Sequence, residues 1–162
     1  MGLDIKVYKN LKEVQEPKFD EYGDLLNMET EWKPGESMEW SEKHFPGRGQ
    51  GIESQRVYNW EDSFRFRAGS HSAYSWWRDK LNEFMGDTAF QELINFADNE
   101  GVIGPVVSKK LAKDFAENLE KAREFSNKLN EEGYNGTFWI ESYENWKEAF
   151  EMAAHNGAVE FR

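Results

Sequence analysis

The chain begins with a strict alternation of apolar and polar side chains. In residues 3–7 (LDIKV) and again in residues 64–68 (FRFRA) every second side chain is apolar, which is typical of a strand with one buried face. Residues 158–161 (AVEF) form a third, shorter strand-like run. The pattern therefore predicts three strands, and we expect the last to pair with the first.

From residue 72 onward the apolar positions change to spacings of three and four, which are typical of amphipathic helices. This spacing predicts a helix over residues 72–85 that ends at Gly86. A short helix follows, for which Asp87 or Thr88 is the predicted cap. The polar and glycine-containing residues 98–105 predict a break in the helical part of the chain.

Two long amphipathic segments follow that break. Ser108 is the predicted cap of a helix that ends near Gly133. Apolar side chains recur at helical spacing over residues 139–153, and Asn156-Gly157 is the predicted end of this last helix.

Residues 9–52 are less regular, because prolines and glycines interrupt them repeatedly. Residues 37–40 (SMEW) are the one strand-like stretch in this part of the chain, and the alternating glycines of residues 45–51 predict a loop.

Strands that precede helices, instead of alternating with them, favour the α+β class. We expect a single domain over residues 1–162 with a small, mostly antiparallel sheet packed on one face against about four helices. In this scheme residues 1–70 are strand-rich and irregular, residues 72–155 are helical, and residues 158–161 form a short terminal strand. The helices are thus concentrated in the C-terminal half.

Composition and charge narrow the classes of function. The chain has 162 residues, 20 Lys and Arg against 31 Asp and Glu, a formal net charge of −11 and no cysteine. The lack of cysteine excludes a disulfide framework, a thiolate zinc site, an iron–sulfur cluster and a cysteine nucleophile. No apolar run is long enough to cross a bilayer, and the first residues lack the layout of a secretory signal. We therefore expect a cytoplasmic protein with no membrane partner.

The acidic surplus is spread along the whole chain. Proteins that bind nucleic acids obtain much of their affinity from Lys and Arg on phosphates, so direct nucleic-acid binding is not expected. Two interpretations of the acidity remain open. It is either an ordinary solvated surface or a face that docks onto a basic partner protein.

The junction between the second predicted strand and the first predicted helix is the strongest candidate for a ligand site. Free backbone N–H groups at a helix start can hold an anion. Groups that can add to such a site lie close together along the chain: Gly69, Ser70, His71, Ser72, Tyr74 and Arg78. They predict a site for a small anionic ligand such as a phosphate or carboxylate. The alternative is that a serine only caps the helix and the arginine forms a surface ion pair.

Asp98 and Glu100 are the candidates for a divalent metal, because carboxylate oxygens suit Mg²⁺ or Ca²⁺. The EF-hand spacing is absent, and Asp98 is equally typical of a turn at a helix end. A metal-assisted hydrolase that adds Ser70, Tyr74 and Arg78 to these carboxylates is therefore the alternative to a binding protein without a cofactor.

Four of the seven tryptophans lie in the predicted helices. Trp77, Trp139 and Trp146 fall on apolar stripes and are expected in the core. Trp76 points about 100° away from Trp77 on a helix, so it is either exposed or closes a second contact.

Several segments carry a resemblance to known sequences: residues 66–78 (FRAGSHSAYSWWR), 95–105 (NFADNEGVIGP), 110–115 (KLAKDF) and 146–159 (WKEAFEMAAHNGAV). Together with the opening MGLD, they resemble a family of small hypothetical proteins encoded by bacteria and their phages. The likeness covers residues 64–162 well and residues 10–60 poorly. No activity is assigned to that family, so the resemblance implies a context and no catalytic residues.

A phage or mobile-element context implies an accessory protein that blocks a host system by direct binding. The sequence hypothesis is thus a non-enzymatic cytoplasmic binding protein. It would act through an acidic aromatic surface on a basic protein partner, or through a small anionic-ligand site at Gly69–Arg78.

Overall fold

The computed structural model describes residues 2–162. In chain order its elements are β1 (Gly2–Lys9), β2 (Lys12–Glu13), α1 (Gly35–His44), β3 (Tyr58–Asn59), β4 (Asp62–Ser70), α2 (His71–Met85), α3 (Gln91–Ile94), β5 (Gly101–Ile103), α4 (Pro105–Glu117), α5 (Leu119–Glu131), α6 (Gly136–Ala153) and β6 (Ala158–Phe161).

The main sheet has four antiparallel strands in the order β4-β1-β6-β5. The three strands predicted from alternation are confirmed, and β6 pairs with β1 as expected, with Val159 opposite Val7. The α+β class is confirmed, with helices mostly in the C-terminal half. A two-residue ladder between β2 and β3 forms a separate small sheet.

One face of the sheet is covered by helices. Leu3, Ile5 and Val7 point into the main core, where α6, α2 and α4 pack against β1, β4 and β6. Every second residue of β1 lies on this face because successive side chains of a strand point to opposite faces of the sheet.

The irregular first part of the chain covers the opposite face. Tyr8 and Ala158 lie in a second buried cluster with Trp32, Met38 and Tyr58. Residues 10–60 thus supply a second, smaller core for the same sheet, a role that their sequence pattern did not indicate.

The strand predicted at residues 37–40 is wrong, because these residues lie within helix α1. Met38 and Ser41 are its buried positions, three residues apart as a helix face requires. The Ser41 hydroxyl donates to the Met38 carbonyl (3.1 Å) and accepts from the Val102 N–H (3.3 Å). Four alternating residues are too few to distinguish a strand from a helix.

The break predicted at residues 98–105 contains the short strand β5. Val102 and Ile103 are fully buried there, and Gly101 begins the strand with a φ of 135°. Strand β5 has only three residues, which is too short to show an alternation.

The cap predicted at Ser108 is also wrong. Helix α4 begins at Pro105, and Ser108 is buried within it. The single helix predicted up to Gly133 is two helices, divided at Asn118, whose side-chain amide donates to the Asp114 carbonyl (2.9 Å).

Neither Asp87 nor Thr88 caps the short helix. Phe90 precedes α3 and has no side-chain cap, and the Thr88 hydroxyl donates back to the Met85 carbonyl of α2 (3.3 Å). By contrast, the helix predicted over residues 72–85 is confirmed as α2.

Helices α2 and α6 are joined by a reciprocal pair of hydrogen bonds. The indole N–H of Trp77 donates to the Trp139 carbonyl (3.0 Å), and the indole N–H of Trp139 donates to the Trp77 carbonyl (3.3 Å). Both residues are fully buried, so the bonds fix the axial position of one helix against the other.

We predict that Gly157→Ala strongly destabilises the fold. A Cβ at this position would lie 1.8 Å from the Tyr8 carbonyl oxygen, so β6 could not approach β1 as it does. The expected loss is about 3 kcal/mol or more of unfolding free energy, measured by urea denaturation. In the control Gly133→Ala a Cβ meets nothing within 4 Å, and only the left-handed backbone costs energy, about 1–2 kcal/mol. Equal losses would contradict the steric explanation.

Candidate functional site

The predicted ligand residues at the start of α2 act first as a helix cap. The Ser70 hydroxyl accepts from the Ala73 N–H (3.1 Å) and lies 3.3 Å from the Ser72 hydroxyl. Gly69 has a φ of 130°, and a Cβ there would lie 3.0 Å from that of Ala73. Ser70, His71 and Ser72 are exposed, so they remain available at the surface.

Tyr74 does not reach that surface. It is 1% exposed, and its ring packs near those of Trp77 and Trp146. Its hydroxyl has no hydrogen-bond partner among residues 2–162. Burial raises the pKa of Tyr74, and the positive charge of Arg78 opposes this only in part.

Arg78 is engaged within the fold. Its guanidinium carbon lies 5.2 Å from the centre of the Tyr74 ring, and Nη1 donates to the Phe96 carbonyl (2.7 Å). Nη2 lies 4.0 Å from a carboxylate oxygen of Asp98. Through these contacts Arg78 holds the segment before β5 against α2.

The structure thus brings together residues that the sequence assigned to two separate sites. Tyr74 and Arg78, predicted for an anion, meet Asp98, predicted for a metal. Glu100 lies two residues further along, directly before β5. Within residues 2–162, no group of three or more histidine, aspartate or glutamate side chains is arranged to hold a metal ion.

An open groove of about 550 Å³ lies beside the first turns of α2. Its aromatic walls are Trp76 on α2, Tyr134 in the α5–α6 connection and Phe138 on α6. The Trp76 ring centre lies 6.4 Å from that of Tyr134 and 6.3 Å from that of Phe138. Tyr134 is 48% exposed. We call this surface the aromatic groove.

The helix pair positions two of these rings. Trp76 and Phe138 each directly precede one member of the hydrogen-bonded pair Trp77 and Trp139. Consecutive helical residues point about 100° apart, so the buried pair places its two neighbours side by side at the edge of the interface.

The third ring is positioned by the turn between α5 and α6. Gly133 has a φ of 88°, and the Tyr134 N–H donates to the Leu129 carbonyl (2.9 Å). The Asn135 side chain then accepts from the Phe138 N–H (3.0 Å) and caps α6. Backbone and cap bonds therefore hold Tyr134 in place on both sides.

Charged side chains lie beside one edge of the aromatic groove. Lys80 lies 4.5 Å from the Tyr134 ring centre, but its ammonium group pairs with Glu83 at 3.0 Å. That hydrogen bond is the main cause that raises the pKa of Lys80, and Glu132 adds to it. Glu132 in turn lies 3.9 Å from the Lys128 ammonium group, so the charged groups near this edge are paired with one another.

Comparison with protein-family models, with curated proteins and with solved structures found no match to this chain. Among the helices of residues 2–162, none combines the length and apolar character needed to span a membrane.

Tyr134 and Phe138 are the groove residues that sequence reasoning missed. For Trp76 the sequence predicts either exposure or a second contact, and the structure shows both in part, since Trp76 is half-buried against the other two rings. The available signal was the pair of adjacent aromatics in each helix, WW at residues 76–77 and FW at residues 138–139.

We predict that Arg78→Met costs more stability than Asp98→Asn. The first change removes the donor to the Phe96 carbonyl and should cost about 1–3 kcal/mol. Asp98 is half-exposed and 4.0 Å from its partner, so its neutralisation should cost less than about 0.5 kcal/mol. Urea denaturation measures both. A loss for Asp98→Asn as large as that for Arg78→Met would show that the ion pair, not the carbonyl contact, holds this segment.

Proposed function

We propose that this protein is a non-enzymatic binding protein whose aromatic groove docks onto a basic segment of a partner protein. The observation that carries the proposal is the set of three neighbouring, partly exposed rings of Trp76, Tyr134 and Phe138 on a fixed frame. Together with the sequence resemblance, it favours a cytoplasmic accessory or inhibitory protein of bacterial or phage origin.

The chemistry of the rings supports docking. Trp and Tyr are enriched among the residues that dominate binding energy at protein interfaces. A groove already held by helix packing and backbone hydrogen bonds loses little further conformational freedom on binding. An apolar side chain of a partner can therefore pack against the exposed parts of these three rings at small entropic cost to the groove.

Charge supports a basic partner. The chain has a net charge of −11, and Lys80, the cation beside the Tyr134 ring, is already paired with Glu83. Complementary charge speeds association and selects partners more than it adds affinity. We therefore expect Lys or Arg beside the apolar anchor of the partner segment.

The other functions suggested by the sequence have less support. At Gly69–Arg78, Tyr74 is buried and one arm of the Arg78 guanidinium group already donates to the Phe96 carbonyl, which leaves a small anion only part of the predicted ligand set. A divalent cation on Asp98 and Glu100 would lie close to the same guanidinium group, and like charges repel. Both arguments favour docking over the anion site and over the metal-assisted hydrolase.

We predict that an amphipathic Lys/Leu peptide binds this protein and that Tyr134→Ala or Trp76→Ala weakens binding by about tenfold or more. Fluorescence anisotropy of the labelled peptide measures the affinity, and a rise in salt should weaken it. The matched control is Tyr22→Ala, which removes an 82% exposed tyrosine elsewhere on the surface.

A Glu/Leu peptide of equal length tests the charge requirement and should bind at least tenfold more weakly. Equal affinity for the acidic peptide, or an equal loss in Tyr22→Ala, would overturn docking at the aromatic groove.

A further inference from the structure

The face of the sheet opposite the helices carries basic side chains in neighbouring strands. On this face Lys6 of β1 lies opposite Arg65 of β4 and opposite Glu160 of β6. In the next row Asp4 lies opposite Arg67, and its backbone pairs with that of Arg162 (2.8 and 3.0 Å). Four cationic side chains thus lie close together on this face of an otherwise acidic protein: Lys6, Arg65, Arg67 and Arg162.

Two of the four cations have acidic partners. Arg67 lies 3.3 Å from an Asp4 carboxylate oxygen, and Arg162 lies 3.6 Å from Glu160. Glu160 also accepts from the indole N–H of Trp32 (2.9 Å). The Glu160 carboxylate therefore contacts Arg162 and Trp32 and forms no ion pair with Lys6.

Lys6 and Arg65 form no ion pair with any residue from 2 to 162. Lys6 is only 8% exposed, and its ammonium group lies 4.5 Å from the Trp60 ring centre and 5.0 Å from that of Tyr8. Burial and the charges of Arg65 and Arg162 lower the pKa of Lys6. Like charges opposite each other across strands are destabilising, so the fold bears a cost at this position.

A cavity of about 340 Å³ opens over these side chains. Lys6, Arg65 and Arg162 form its basic floor, and Phe19 and Met28 belong to its wall. Both wall residues are exposed apolar side chains, which a bound apolar group would cover.

The wall also offers an acceptor. One carboxylate oxygen of Glu31, which lines the cavity, is buried and has no hydrogen-bond partner among residues 2–162. A buried acceptor without a partner costs free energy. A ligand hydroxyl or amino group would satisfy it.

We propose that this cavity binds a small organic phosphate, with the phosphate on Lys6, Arg65 and Arg162 and the apolar body against Phe19 and Met28. A phosphate monoester carries close to two negative charges at neutral pH and so suits a cavity whose lining holds three cations without an ion pair in residues 2–162, namely Lys6, Lys33 and Arg65. Arginine forks suit phosphate oxygens. The cavity lies across the sheet from the helices that form the aromatic groove, so this site is independent of partner docking.

Phenyl phosphate is the test ligand, with inorganic phosphate and phenol for comparison, in isothermal titration calorimetry at low salt. We expect phenyl phosphate to bind more tightly than either. Lys6→Met and Arg65→Gln should each weaken it at least tenfold, and the control Arg123→Gln, an exposed arginine on α5, should not.

Lys6→Met also reports on the fold. The substitution relieves the repulsion from Arg65 but also removes the contacts with the Trp60 and Tyr8 rings. We therefore expect the Tm of Lys6→Met to stay close to that of the wild type, which would show that its loss of binding is not due to unfolding. The groove variant Trp76→Ala should bind phenyl phosphate normally, and Lys6→Met should still bind the Lys/Leu peptide, which separates this proposal from the proposed function.

Three outcomes would overturn the proposal. The first is no binding of phenyl phosphate at millimolar concentration. The second is an equal loss in Arg123→Gln. The third is tighter binding of a single-stranded oligonucleotide, lost in Arg65→Gln, which would make the basic face a nucleic-acid path.

Discussion

The indole N–H groups of Trp77 and Trp139 each donate to the carbonyl oxygen of the other residue, in the buried interface of α2 and α6. Each bond places a bulky ring against the opposite backbone, so the helices cannot slide or rotate without breaking both. Helix α6 in turn packs on β1 and on α4 and α5. The position of α2 against α6 therefore depends on this contact, and so does the aromatic groove.

The two faces of the main sheet carry different kinds of side chain on the same strands. On the helical face the alternation supplies large apolar side chains, and the core there is almost entirely aromatic and aliphatic. On the other face it supplies Lys6, Arg65 and Arg162. The acidic surplus of the rest of the chain makes these cations a local exception in the charge of the molecule.

The sequence predicted the elements that repeat long enough to show a period. Strands β1 and β4 and helices α2 and α6 were found because alternation or three-four spacing extends over five or more residues. Helix α1, strand β5 and the division at Asn118 were missed or misassigned. For α1 and β5 a tertiary contact links the two elements, since the Ser41 hydroxyl of α1 accepts from the Val102 N–H of β5.

By itself the sequence determined the fold class, the main strands and the burial of Trp77, Trp139 and Trp146, because these follow from periodicity within single segments. It also singled out Tyr74, Arg78 and Asp98 as unusual, but not what they do. Only the tertiary structure decided that Arg78 holds a neighbouring segment, that Trp76, Tyr134 and Phe138 meet in a groove, and that Lys6 lies unpaired beside Arg65. The reason is physical: contacts between elements far apart in the chain depend on strand register and helix packing, and local pattern specifies neither.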